Sequence, residues 1–186
     1  MRVIAGSCRG RKLFAPAGVT TRPTSDRVKE ALFSILASRA DFAAISVLDI
    51  CAGTGSLGIE ALSRGAGSCC FIEYNPSVKA ILDKNLAVTG FEERAEVLIM
   101  EATAALRKIA LGGRRFDLVF FDPPYSSELY RDILEMLGSS ELLTAGAILV
   151  AECATGNRLE ETYGRLVHFD RRVYGDTALE LYELEE

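Results

Sequence analysis

Val47-Leu48-Asp49-Ile50-Cys51-Ala52-Gly53-Thr54-Gly55-Ser56-Leu57-Gly58 reads as an apolar strand that turns through glycines into a helix. Gly53, Gly55 and Gly58 keep the G-x-G-x-x-G spacing, which permits a tight turn and lets a ligand approach the backbone at the helix N-terminus. The next apolar run ends at Glu73, whose carboxylate suits both hydroxyls of a ribose. Together with Ala52 in the same turn, these residues predict an adenosine-containing cofactor at the carboxyl ends of the strands. NAD enzymes share the glycine pattern, and a plain packing turn produces it too. Asp49, four residues before the first glycine, favours S-adenosylmethionine. A carboxylate there would meet the amino group of a methionine moiety and would repel a pyrophosphate.

Outward from that stretch the chain alternates. Strands are expected at 45–51, 68–74, 95–100, 116–122 and 147–153, and helices at 56–64, 76–89, 102–111 and 127–138. Pro76 suits the first turn of its helix. Such alternation implies right-handed βαβ units and a doubly wound, Rossmann-like α/β fold with a mostly parallel sheet. The runs 166–174 and 177–184, joined by Gly175-Asp176, predict an antiparallel hairpin at the C-terminus. Upstream, residues 1–23 hold short apolar and basic pieces broken by Gly6, Gly10, Pro16, Gly18 and Pro23, the pattern of a small hairpin or arm. A helix follows from Thr24 to about 38–41. The expected organisation is a basic arm and helix over 1–40 and a catalytic domain over 41–186.

The strand Phe116-Asp117-Leu118-Val119-Phe120-Phe121 ends in Asp122-Pro123-Pro124-Tyr125. That position puts Asp122 beside the cofactor crevice. The prolines fix φ and remove backbone donors, leaving carbonyls free to accept. An aromatic exocyclic amine is a weak nucleophile because its lone pair is delocalised into the ring. Accepting its two N–H bonds on the Asp122 carboxylate and the Pro123 carbonyl favours a pyramidal nitrogen and stabilises its developing positive charge. Tyr125 would stack on the base. The motif therefore specifies methylation of a base amine, without choosing among guanine, adenine and cytosine. Met100-Glu101-Ala102 ends the third strand. Glu101 would accept from the adenine amino group while the Ala102 N–H meets the ring, or it is simply a solvated carboxylate at a helix start.

Charge is unevenly spread. Residues 1–40 carry eight Arg/Lys against Asp26 and Glu30, a net of +6, whereas the whole chain is −5. A basic arm on an acidic body suits a nucleic-acid partner. No apolar run is long enough to span a bilayer, and the first residues lack a signal-peptide core, so a cytoplasmic protein is expected. The five cysteines form no C-x-x-C pair, which predicts reduced, small hydrophobes and no metal. His168, the only histidine, is expected to be a satisfied strand residue.

These motifs resemble one family over nearly the whole chain: the bacterial 16S rRNA guanine-N2-methyltransferases of the guanine 966 type. The resemblance runs through Gly6…Arg9-Gly10-Arg11-Lys12-Leu13, then Arg22-Pro23-Thr24-Ser25-Asp26-Arg27-Val28-Lys29-Glu30-Ala31-Leu32-Phe33. It continues through Leu48-Asp49…Ala52–Ala66 to Phe121–Tyr125. The Arg22–Phe33 segment discriminates, because many amino-methyltransferases share the other two motifs. The resemblance implies a seven-stranded methyltransferase fold with an N-terminal arm; separately, a monomer is expected. Its substrate would be a small-subunit rRNA guanine, met in assembled or assembling subunits. In that light Arg9, Arg11, Lys12 and Arg22 would contact phosphates, and Thr24 would lie over the cofactor's methionine end. Glu101 stands where related enzymes often carry Asn or Asp. Two other classes remain open on the residues alone: a DNA adenine or cytosine amino-methyltransferase, and an NAD-dependent or purely RNA-binding protein.

Overall fold

A computed structural model describes residues 1–16, 26–124 and 129–185. The elements are α1 (Asp26–Ala37), β1 (Ser46–Ile50), α2 (Ser56–Ser63), β2 (Ser68–Ile72), α3 (Pro76–Thr89), β3 (Ala95–Leu98) and α4 (Ala102–Leu111). They continue with β4 (Phe116–Phe121), α5 (Leu129–Ser139), β5 (Leu143–Ala154), β6 (Thr162–Tyr163), β7 (Leu166–Tyr174) and β8 (Thr177–Leu184). One sheet holds all eight of these strands in the order β3-β2-β1-β4-β5-β8-β7-β6. The first five are parallel and β8 returns antiparallel on β5. The seven expected strands are all present, and the two-residue β6 extends the hairpin edge. No helix among the described residues is long and apolar enough to cross a membrane.

Local chemistry explains most boundaries. Asn75 caps α3 by accepting the Ser77 N–H, Pro76 fills its first turn, and Gly90 closes it at φ 72°. β1 and β4 are nearly solid apolar runs because helices cover both faces of the sheet. β5 begins at Leu143, four residues before the expected start. Leu143 pairs with Phe116 ahead of a register shift, and Ile148 then resumes pairing with Leu118. Gly146, at φ 72°, lies inside that irregularity.

Two apolar layers flank the sheet. Leu48, Ile50, Val119 and Phe121 pack with α4 and α5 on one side. Val47, Leu118 and Phe120 pack with α1, α2 and α3 on the other. Phe33 of α1 sits 5.7 Å from Phe120, ring centre to ring centre. Full burial of such a side chain is worth about 1.5–3 kcal/mol.

The basic arm is a small hairpin. Arg2 bridges Lys12, Val3 donates to the Arg11 carbonyl, and Gly10 donates to that of Val3. Val3 and Leu13 belong to the second apolar layer, while Arg9, Arg11 and Lys12 remain exposed. Polar contacts fasten the arm to α2: the Glu60 carboxylate accepts from Ile4 and Ala5 N–H, and the Ser63 hydroxyl donates to Ala5. Lys29 and Glu60, both fully buried, lie 3.5 Å apart beneath it. Burial pushes the Lys29 amine below its ordinary pKa, against the pull of Glu60.

All five cysteines carry free thiols, three of them buried. His168 is held in β7, its Nε2 2.9 Å from Glu180 and its ring edge-on to Tyr182.

Candidate active site

The strand order reverses between β1 and β4, and both strands end side by side. A crevice opens at such a point because the connections leave in opposite directions. The turn after β1 reaches it through Cys51 at φ 60°, Gly53 at φ 56° and Gly55 at φ 78°. Cys51 adopts this left-handed conformation although it carries a side chain, so the turn holds it there against a cost of order 1–3 kcal/mol.

The three glycines serve different ends. A Cβ on Gly58 would stand 2.7 Å from Cys69 Sγ and collide with the Phe71 ring, and one on Gly55 would collide with Leu82. Both positions are bare so that α2 can seat on β2 and α3. A Cβ on Gly53 would meet nothing nearer than the Cys51 carbonyl at 3.9 Å, so this position stays open. Ala52 donates to Ile72 and accepts from Gly55, which fixes the curve of the turn.

Carboxylates gather around it. Glu73, just past β2, is buried and accepts the Gly53 N–H at 3.0 Å and the Asn75 N–H at 2.8 Å. Asp49, inside β1, accepts the Gly58 N–H at 2.9 Å and is almost wholly buried. Burial, with a further push from Glu73, raises its pKa to about 8. Asp122 follows β4, anchored by its N–H to the Ile50 carbonyl. Burial and the neighbouring Glu152 and Asp49 carboxylates hold its pKa well above the usual range. Cys51 lies among them, its thiol pushed up to about 12 by burial and by Glu73, Asp122, Asp49 and Glu101.

The structure thus brings Asp49, Gly53, Glu73, Glu101 and Asp122 together from four separate stretches. Pro123 is buried directly behind Asp122 and Pro124 is exposed. Glu101 is exposed at the start of α4, without a capping bond from its side chain, and Ala102 beside it is buried. Thr24, Arg22 and Tyr125 lie outside the described residues. Among the described residues no group of acidic, His and Cys side chains is arranged to hold a metal. A surface depression formed by residues 37–42 and Arg64 lies before β1, away from the strand carboxyl ends.

Three neighbours of the site belong to no sequence motif. Glu152 on β5 is buried beside Asp122 and has no motif to mark it. Tyr74 and Ile99 are large apolar side chains left 66% and 49% exposed past the ends of β2 and β3. Only the combination of strand end and exposure singles them out, and exposure is not readable from a sequence.

The arrangement suits a cation. A crevice bordered by the Asp49, Glu73 and Asp122 carboxylates opposes a pyrophosphate and welcomes an ammonium or sulfonium. Comparison with known proteins agrees with a transferase. The family model described as Conserved hypothetical protein 95 matches residues 1–183. The chain is 37% identical to "Putative rRNA methyltransferase YlbH" of Bacillus subtilis, over 98% of each chain. It is 36% identical to "Ribosomal RNA small subunit methyltransferase D" of Escherichia coli, over 100% of this chain and 90% of that one. Among solved structures, "Putative methyltransferase yhhF" from Escherichia coli is 34% identical, covers 100% of this chain and 98% of its own, and superposes with a TM-score of 0.86.

Proposed function

This chain belongs to the Conserved hypothetical protein 95 family, and from that membership we propose that it is an S-adenosylmethionine-dependent methyltransferase of small-subunit ribosomal RNA. Its target is the exocyclic N2 amine of a guanine. The observation that carries this reading is the convergence of Asp49, Glu73 and Asp122 on the turn at Cys51–Gly53. The names of the full-length relatives supply the RNA class.

The residues fit the cofactor. Glu73 keeps free lone pairs beyond the two N–H bonds it accepts, enough for ribose hydroxyls. Gly53 leaves the space a side chain would fill. Asp49 is the acceptor for a methionine ammonium, and Glu101 with Ala102 takes the adenine edge. When bound, S-adenosylmethionine supplies an electrophilic methyl group on a sulfonium.

The chain's own work is to prepare the nitrogen. Asp122 and the Pro123 carbonyl accept the two N–H bonds of the amine and turn its lone pair toward the crevice. As the N–C bond forms, positive charge grows on that nitrogen, and the fixed carboxylate stabilises it. The proton that the nitrogen sheds then passes to the Asp122 carboxylate along the N–H bond it already accepts. Tyr125 covers the base. Arg9, Arg11, Lys12 and Arg22 meet the phosphates of the small-subunit rRNA, in assembled or assembling subunits, with the enzyme acting as a monomer in the cytoplasm.

The test is methyl transfer from labelled cofactor into small subunits that lack the mark, with the modified nucleoside identified by mass. N2-methylguanine formed by the wild type and lost in Asp122→Ala is expected. An unmodified subunit, or an Asp122→Ala variant as active as wild type, would overturn the assignment.

A further inference from the structure

Phe14 leaves the basic hairpin with its side chain 52% exposed, although its neighbour Leu13 is buried in the apolar layer. Among the described residues it is one of the few large apolar side chains left in water, and its backbone is held firmly. The side chain of Asn85, fully buried in α3, accepts the Phe14 N–H at 2.7 Å and donates to the Phe14 carbonyl at 3.1 Å. The same amide nitrogen donates to the Thr54 carbonyl at 2.9 Å, inside the glycine turn. Phe14 is therefore fixed to the glycine turn through one amide. Arg11 and Lys12 are exposed just before it, and Arg9 is exposed near the hairpin tip.

An aromatic ring presented on a rigid backbone beside exposed cations is the physical composition of a surface for unpaired nucleotides. Bases stack on the ring whatever their identity, while the cations hold the backbone. Burial inside the protein does not explain the ring, since the residue is half exposed. Charge complementarity selects RNA as the occupant: the arm is positive on an otherwise acidic chain.

We propose that Phe14 is a substrate-positioning residue on which an unpaired base of the RNA, next to the target nucleotide, stacks. This rests on the RNA-methyltransferase reading above and adds to it the contact that aligns the strand with the crevice. Because Asn85 joins Phe14 to the glycine turn, the stacked base is held in register with the cofactor site.

The experiment is steady-state methylation of small subunits lacking the mark, at saturating cofactor, by wild type and by Phe14→Ala, Phe14→Leu, Phe14→Tyr and Phe14→Trp. Cofactor affinity and thermal unfolding are measured in parallel. Stacking predicts that Ala and Leu raise KM for the subunit roughly five- to hundredfold, that kcat falls less, and that Tyr and Trp restore KM. Cofactor affinity should stay at the wild-type value in all four. A Leu variant equal to wild type, or aromatic variants no better than Ala, would overturn the proposal while leaving the wild-type activity intact. A wild type that does not methylate the subunit sinks the underlying function and this inference together.

Discussion

Glu73 accepts the Gly53 N–H at 3.0 Å, which ties the end of β2 to the turn after β1 and makes them one hydrogen-bonded unit. The same carboxylate shapes the start of α3 through Asn75, so a single side chain sets three segments that border the crevice.

Glu73→Gln places an amide NH2 against one of two backbone donors. Leaving that donor unpaired in a buried position costs about 1–3 kcal/mol of stability. Cofactor affinity should fall at least about tenfold, because the turn relaxes and a ribose acceptor is lost. Calorimetric titration with S-adenosylmethionine, beside a denaturant melt, checks both.

The glycines should separate by role. Gly58→Ala drives a methyl into Phe71 and Cys69 and should destabilise the fold by about 1–3 kcal/mol. Gly53→Ala adds only the strain of its positive φ, about 1–2 kcal/mol, but fills the open space beside the turn. Gly53→Ala is expected to lose cofactor binding at only the melting cost of that strain. Cofactor binding retained in Gly53→Ala would contradict the assignment.

Asp49 gives a pH signature. Its pKa in the folded chain is raised to about 8, above the ordinary value of 3.8 that it has when unfolded. Between those values the folded state holds a proton that the unfolded state has released, so stability falls as pH rises across that window. Asp49→Asn removes this slope, so its stability relative to wild type should grow from acid to about pH 8. Wild-type affinity for a cationic cofactor should strengthen over the same range, since ligand binding favours the ionised form. Melts and titrations across pH test both trends.

Asp122→Asn keeps the volume but replaces an anionic acceptor with a neutral group. Losing one preorganised charge contact at the reacting nitrogen should lower kcat about 10²- to 10³-fold. Single-turnover methylation, with cofactor affinity measured separately, distinguishes this loss from a binding defect.

The arm depends on a buried charge pair. Glu60 accepts from Ile4, Ala5 and Arg64 and sits beside Lys29, which itself donates to the Arg2 carbonyl and lies 3.1 Å from the Ser56 hydroxyl. Lys29→Met leaves Glu60 with Arg64 and the two backbone donors but removes its buried partner and the donor to the Arg2 carbonyl, and should cost about 1–3 kcal/mol. Faster proteolytic cleavage within the first residues, ahead of global unfolding, is the expected mark of a loosened arm.

Much of this was legible in the residues. The alternating apolar runs define the sheet and its parallel sense, and Pro76 marks the first turn of α3, because period and helix starts are local properties. The expected hairpin 166–174 and 177–184 appears with those limits. The early start of β5 was not legible, since it depends on a register shift against β4 that only pairing can create. The arm was recognisable as basic and broken by glycines. That its apolar residues would complete the layer over α1 and α2 was not.

The sequence by itself determined the βαβ order, the glycine turn and the Asp122-Pro123-Pro124 strand end, because each is encoded within a few consecutive residues. Tertiary structure alone decided what those pieces do to one another. It divided the glycines between packing and open space, since that depends on where Phe71, Cys69 and Leu82 come to rest. It also gathered Asp49, Glu73, Asp122 and Glu152 so closely that burial and mutual repulsion reset the Asp49 and Asp122 pKa values. Desolvation and Coulomb repulsion depend on distance in space, and these carboxylates are scattered from residue 49 to residue 152 along the chain.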